Sequence, residues 1–538
     1  MKLNAVELRC HDARSYKSGF LAVALGALTF TAANCNGLTP TQDTAKPIWP
    51  TKGWQTSTPE AQGMDSADLA GLVDFGTKHS LDSLLITRHG KIVTEAYYAP
   101  YEAGIPHAVN SVTKAVISTL TAIAWKNGLL DTPDHKVLDF FDRHDIANLG
   151  DRKEAITVQN LLDMTSGFDW TEGLSFFSSP LAMEQSPYWV KFVLDRGMPN
   201  APGEVFYYNS GNAQVLSAIL TKLTGKSAFD YAKAKLFGPL GIEDVYWRQD
   251  PQGNSCGGYG LYLEPRDMAK IGYLYLRDGV WEGKQLIPQA WIDQITHATV
   301  DVDWPLEPGL RYSNFFWALP DKHVYMAVGH NGQVIMVFPD LDIVTVTTAR
   351  GNYSYSEFAD LVTAAVKSDT ELAGNPASAK LLANKLLAVS TQKSTEVGPA
   401  SSLSAAISGR VYKFPPNGLR IKSLSLFLGD AWPHYNLETY PRDTTASLTL
   451  SGPIGFDGHY HNGELVYHGF SDRFEGSPRV TAAKGTWQGE NTLLIRRLEI
   501  GQGEPAERWT LMFFGEKLTL LAQFPEGPET LIEGQTGE

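Results

Sequence analysis

The chain has 538 residues, 43% of them hydrophobic and 19% charged, with 13 Trp; this excludes a disordered chain and exceeds what one compact core usually holds, so two domains are expected. A net charge of −14 without any Lys/Arg-rich block excludes an electrostatic grip on nucleic acid, and the acidic balance serves solubility.

In chain order the first element is a targeting signal. Lys2, Arg9, Arg14 and Lys17 precede an uncharged run from Gly19 to Ala33, GFLAVALGALTFTAA. The run is shorter than the roughly 20 residues that cross a bilayer and suits the h-region of a signal peptide, with Thr31 and Ala33 placed for cleavage. Residues 1–33 are expected to be removed, and 34–53, rich in Thr, Pro and Ala, to form a tether. Cys35 would carry a lipid after a lipoprotein-type cleavage, although Asn34 fits that signal poorly. The expected location is outside the cytoplasm of a bacterium, either periplasmic or anchored as a lipoprotein. Cys10, Cys35 and Cys256 form no CxxC or Cys/His cluster, so no metal site, disulfide framework or other cofactor is expected.

Residues 54–367 carry strand signals at both ends and helical patterns between them. SLLITRHGKIVTEAYYAPY, from Ser83, reads as a hairpin turning at His89-Gly90. HVYMAVGHNGQVIMVFPDLDIVTVTTA, from His323, reads as two strands joined at Pro339-Asp340-Leu341-Asp342. Strands, then helices, then strands predict an α+β domain: an antiparallel sheet built from both ends of the segment, with a helical insertion.

Between these blocks, Ser111-Val112-Thr113-Lys114 opens a stretch from Val112 to Lys126 that is apolar on most sides, the pattern of a buried helix, and Asn127-Gly128 supplies its stop. Ser111 and Lys114 share a face one turn apart. A helix N-terminus favours negative charge on the serine, and burial among apolar neighbours disfavours a charged ammonium, which suits a proton acceptor. Taken alone, Ser111 reads as an ordinary N-cap. Spacing cannot decide, because Ser390-Thr391-Gln392-Lys393 repeats it in a solvated stretch.

Two later motifs decide between the copies. Tyr207-Tyr208-Asn209-Ser210-Gly211 follows a Pro202-Gly203 turn and precedes an apolar helix expected from near Ala213, a rigid setting for a proton-relaying tyrosine at Tyr208. Tyr312-Ser313-Asn314 is a competing match, but it runs into the strand-like FFWAL. Gly329-His330-Asn331-Gly332-Gln333 falls within the strand pair; Gly332 would let a substrate lie along an edge strand, and the N–H of Gln333 is placed to join that of Ser111 as an oxyanion hole.

Residues 368–400 read as a linker with one helical piece, ASAKLLANKLLAV. From 401 to 538 short alternating or aromatic-rich runs separated by Gly, Pro and Asp predict an all-β barrel or sandwich. Its His459, His461 and His468 lack acidic or cysteine partners at ligand spacing and read as strand or loop residues.

The three motifs, with the flanks STPEAQGMDSADL, LLITRHGKIV, LLDMTSGFDW and RDMAKIGYLYLRDG, resemble the serine β-lactamase and penicillin-binding superfamily, most of all its class C β-lactamase-related branch. The resemblance covers about 54–367 and implies a β-lactamase/transpeptidase-like domain. It implies Ser111 as the nucleophile of an acyl-enzyme, Lys114 as acceptor of its proton, and Tyr208 as the base that delivers a proton to the leaving group. Ser210 would contact substrate or Lys114. His330-Asn331-Gly332 would border the substrate, with His330 in place of the strand lysine. Tyr-x-Ser with His-x-Gly, and no Lys-Thr-Gly, is similar to the 6-aminohexanoate-dimer hydrolases and related esterases. The expected partner is therefore a small-molecule ester or amide rather than a β-lactam. A D-amino peptidase acting on cell-wall peptides and a non-catalytic binding module are the competing readings. Loops 168–177 and 254–259 are expected to wall the pocket, where Trp170 and Tyr259 either touch substrate or pack.

Overall fold

The computed structural model describes residues 47–173, 178–302, 307–440, 447–466, 477–503, 505–524 and 529–537. The expected signal peptide, Cys35 and His468 lie outside the described residues. Strands Leu81–Arg88 and Lys91–Tyr97 form the expected hairpin, with His89 in the left-handed region at φ 51°. Leu81–Arg88 is buried along its whole length because it pairs on its other side with Ile343–Ala349, far along the chain. Among the described residues the sheet has nine strands in the order 55–56, 91–97, 81–88, 343–349, 333–338, 324–329, 316–319, 311–313, 300–301. The helix Pro265–Leu276 packs on it through Gly272, where a Cβ would lie 2.6 Å from Val344 and 2.7 Å from Ile335. Apart from 55–56, which runs parallel to 91–97, this is the antiparallel sheet from both ends, with its helical insertion, that the pattern predicts.

Three boundaries differ from the sequence reading. The segment from His323 to Ala349 forms three strands, Val324–Gly329, Gln333–Phe338 and Ile343–Ala349. His330, Asn331 and Gly332 are thus the turn of a hairpin in the middle of the sheet, not part of an edge strand. The tether does not extend to residue 53, since Trp49 packs its ring on Tyr273 at 5.8 Å and on Trp281 at 5.3 Å. Nor is 368–400 mainly a linker. The helix Pro376–Ser390, capped by Asn375, lays Leu382, Leu386 and Val389 against the core, and Lys385 pairs with Asp74 at 2.8 Å. Those apolar residues recur at spacings of four and three, one helical face.

The C-terminal domain is a barrel-like antiparallel sheet, ten-stranded among the described residues, around Trp509, Leu511, Leu518 and Leu520. Leu437 and Tyr435 enter that core from His434–Thr439, a strand the composition did not signal. A separate apolar cluster joins the two domains: Tyr101 of the first is buried with Val480, Ala482, Leu498 and Ile500 of the second.

Candidate active site

The helix Val112–Lys126 begins at Ser111, whose side chain makes no capping hydrogen bond. Its Oγ instead accepts from Lys114 Nζ at 2.9 Å. Lys114 is 1% exposed. It also donates to the carbonyl of Gly258 at 2.8 Å and lies 4.7 Å from the centroid of the Tyr208 ring. Tyr208 is half-buried and stacks on Trp317 at 5.8 Å and 25°. Hydroxyl, ammonium and phenol thus meet at one buried helix end.

The competing matches do not join this group, although Tyr312 packs against Tyr208 with ring centroids 6.4 Å apart. Tyr312 is 0% exposed inside the strand Arg311–Ser313, wedged between Phe206 and Trp317. Burial, and then the charges of Tyr208, Asp163 and Glu172, push its pKa well above the ordinary tyrosine value. Ser390 is exposed, and its hydroxyl donates to the Leu387 carbonyl at the end of its helix.

The helix after Tyr208 starts at Ser210, three residues before Ala213, because the Asn209 side chain caps it by accepting from the N–H groups of Gly211 and Asn212. Ser210 lies beside Gly258, whose carbonyl holds Lys114: a Cβ at Gly258 would stand 3.2 Å from Ser210 Oγ. That Oγ donates to Glu172 Oε1 at 2.6 Å, and the Ser210 N–H donates to Glu172 Oε2 at 2.9 Å. Trp170 Nε1 donates to the same Oε2 at 2.6 Å, and the ring is 4% exposed against Gly211, where a Cβ would lie 2.8 Å from it. Trp170 is therefore a packing residue rather than a pocket wall. Glu172 uses both oxygens as acceptors. Glu172→Gln replaces one acceptor by an NH2 facing a donor, so it is expected to lower stability by about 1–3 kcal/mol, read by calorimetry.

Tyr259 is half-buried. Its hydroxyl is buried, and burial, followed by the neighbouring Cys256 and Glu184, pushes its pKa well above the tyrosine range. Burial also raises the free Cys256 thiol to about 12, which leaves it unreactive.

The hairpin turn faces the nucleophile from the other side. Asn110, at φ 48°, donates through Nδ2 to the His330 carbonyl at 3.1 Å. A Cβ on Gly329 would stand 2.3 Å from the Val109 carbonyl, so the end of that strand touches the backbone leading to Ser111. His330 is exposed. The Gln333 side chain is buried, donating to the carbonyls of His330, Asn331 and Ala349 and accepting from Ala349 N–H; the turn is thereby held rigid. Gly332, at φ 81°, does not make room for substrate: its Cβ would meet Gly351 O at 2.7 Å, on the protein side. Asn331 donates to Gly503 O of the second domain at 2.9 Å rather than facing an open cleft.

Sequence reasoning placed Glu172 and Gly258 only within loops expected to wall the pocket and Gly329 within the strand motif, without a role for any of them, and missed the roles of Trp317 and of the contact with the second domain. The one available signal was the glycine run of CGGYG, 256–260, whose first two glycines admit close backbone approach. In the β domain, Asp457 is the acidic partner that spacing hid. It pairs with His459 and His461; burial opposes its charge, but hydrogen bonds from both histidines hold its pKa at about 2.

This architecture is that of the serine β-lactamase and penicillin-binding superfamily. A family model described as Beta-lactamase matches residues 60–368, more than half of the chain, and the chain belongs to that family. It is 23% identical over 285 residues to the 6-aminohexanoate-dimer hydrolase of Paenarthrobacter ureafaciens, covering 49% of this chain and 71% of that protein. It is 23% identical over 225 residues to penicillin-binding protein 4* of Bacillus subtilis (strain 168), covering 38% of this chain and 49% of that one. Among solved structures, a candidate 6-aminohexanoate-dimer hydrolase from Bacillus anthracis aligns with a TM-score of 0.49 at 20% identity, covering 59% of this chain and 87% of its own.

Proposed function

We propose that the protein hydrolyses a carboxylic ester or amide through an acyl-enzyme on Ser111. The observation that carries this reading is the buried Lys114 ammonium shared between Ser111 Oγ and the Gly258 carbonyl beneath the Tyr208 ring. In its neutral form Lys114 takes the Ser111 proton as Oγ bonds to the substrate carbonyl carbon. The N–H groups of Ser111 and Gln333 hold the oxyanion. Collapse breaks the carbonyl carbon's bond to the leaving alcohol or amine, which takes a proton by way of Tyr208. Water then adds to the acyl carbon, the bond from that carbon to Ser111 Oγ breaks, the carboxylic acid leaves, and Oγ regains its proton. The 6-aminohexanoate-dimer hydrolase among the relatives, and a histidine at position 330 in place of a lysine, favour linear esters or amides over β-lactams.

The test is labelling with a fluorophosphonate, followed by turnover of p-nitrophenyl acyl esters, 6-aminohexanoate dimer and D-Ala-D-Ala peptides. Ser111→Ala is expected to abolish labelling and to lower kcat by about 10⁴-fold or more. Equal labelling of Ser111→Ala and wild type would sink the proposal. Turnover confined to the D-Ala-D-Ala peptides would favour the peptidase reading.

A further inference from the structure

Among the described residues, the second domain reaches the candidate site through the short segment Gly501-Gln502-Gly503, which follows the strand Thr492–Ile500. Gly501 O accepts from Ala108 N–H at 2.6 Å, three residues before the nucleophile. Gly503 O accepts from Asn331 Nδ2 at 2.9 Å, two residues before Gln333. Between them Gln502 is buried, accepting from Tyr262 OH at 2.8 Å and donating to Pro478 O at 3.0 Å. The segment therefore bridges the two backbone stretches whose N–H groups, at Ser111 and Gln333, would form the oxyanion hole.

Close approach requires the first glycine, and a left-handed backbone favours glycine at both positions. Gly501 has φ 81°, and a Cβ there would stand 2.5 Å from Pro106 O. Gly503 has φ 72°, and its Cβ would stand 3.1 Å from Gln333 Nε2 and 3.3 Å from Ala349 O. The bridge is also anchored from behind. The Glu499 carboxylate is shared by Arg479 and by Arg497 at 2.7 Å, and Arg497 continues to Glu507 at 3.0 Å and to Tyr435 OH at 2.9 Å. Arg479 and Arg497 are buried, so loss of a carboxylate partner would leave a guanidinium uncompensated in the interior. The network thus grips the chain on both sides of the bridge, and the cluster of Tyr101 with Val480, Ala482, Leu498 and Ile500 presses the domains together beside it.

We propose that Gly501–Gly503 is a positioning element of the oxyanion hole, so that the β domain completes the active centre. The proposal rests on the acyl-enzyme reading above. A domain that only added stability would alter the melting temperature and leave kcat at permissive temperature unchanged. A positioning role has a different signature: kcat falls while KM holds, because the oxyanion contact is made mainly in the transition state.

The experiment uses the full chain with Asn331→Ala, which removes one bridge bond without adding atoms, and Gly503→Ala, which crowds Gln333. Steady-state hydrolysis of p-nitrophenyl acetate, the rate of fluorophosphonate labelling and the melting temperature are measured for each. The expected result is a fall in kcat of about 10-fold for Asn331→Ala and about 10²-fold for Gly503→Ala, with KM within about threefold and the labelling rate falling in parallel, at a temperature where both remain folded. Should Gly503→Ala fail to fold, Asn331→Ala alone decides. Variants that stay within twofold of wild type in kcat, or that lose kcat only where they unfold, overturn the proposal. A wild type that neither turns over nor labels at Ser111 overturns the underlying reading and this proposal with it; an active wild type with undisturbed variants overturns this proposal alone.

Discussion

We expect Lys114→Met to lower kcat by about 10³–10⁴-fold while the melting temperature stays level or rises. Lys114 is 1% exposed, and its ammonium is held by a hydroxyl, a carbonyl and the face of an aromatic ring. Keeping a charge there is costly, and methionine fills a similar length without it. Against that gain, the Gly258 carbonyl and Ser111 Oγ lose their donor, at a cost of about 1–3 kcal/mol for a buried acceptor left unpaired. The two effects are of similar size and opposite sign, whereas the chemistry loses its proton acceptor outright. Steady-state kinetics with calorimetry on the same preparation separates them. A variant that kept turnover, or that lost it only by unfolding, would show that Lys114 supports the helix rather than the reaction.

The second large effect is expected at Gly257, which no catalytic argument selects. A Cβ there would lie 2.0 Å from the Ala213 carbonyl oxygen and 2.3 Å from its carbon. Both sides of the clash are backbone, so no rotamer relieves it, and the segment has to move away from the helix Ser210–Thr224. That movement breaks the hydrogen bond from Gly257 N–H to Gln214 Oε1, 2.9 Å, and carries the next carbonyl, Gly258 O, off Lys114. Gly257→Ala should therefore destabilise the protein by about 3 kcal/mol, near the top of the range for forced overpacking, and lower kcat at least about tenfold in the fraction that stays folded. Denaturant unfolding and active-site titration with a fluorophosphonate measure the two parts separately. Native stability together with full activity would mean that the helix and the 256–258 segment have slack the packing does not show.

Much of the fold was legible because burial demands are written into local pattern. The run from Val112 to Lys126 is apolar on nearly every side, and it forms that helix, with residues Val112 through Ala124 all buried. The turn at Pro339 lies between two strands as its residues predict, with Asp342 left-handed at φ 51°. Where pattern failed, it was ambiguous or carried by small residues. VYMAVGHNGQVIMVF has no Pro and only one glycine pair to mark its hairpin, so two strands looked like one. The strand Arg479–Trp487 carries Val480, Thr481 and Thr486, but Ala482, Ala483 and Gly485 interrupt its pattern, and Gly485 stands there because Ile454 and Phe456 would lie 2.7 and 2.9 Å from a Cβ.

The sequence by itself determined the elements, the order of the three motifs and the family resemblance they carry. These follow from side chains whose chemistry is visible one residue at a time. Only the tertiary structure decided what faces Ser111. The acceptor that holds Lys114 is a backbone carbonyl 144 residues further on, and Asn331 finds its acceptor 172 residues further on in another domain. Every residue carries the same carbonyl, so no residue type announces which one will be used. The selection is made by sheet packing and domain docking, which bring remote backbones within hydrogen-bond reach and leave no mark in the local sequence.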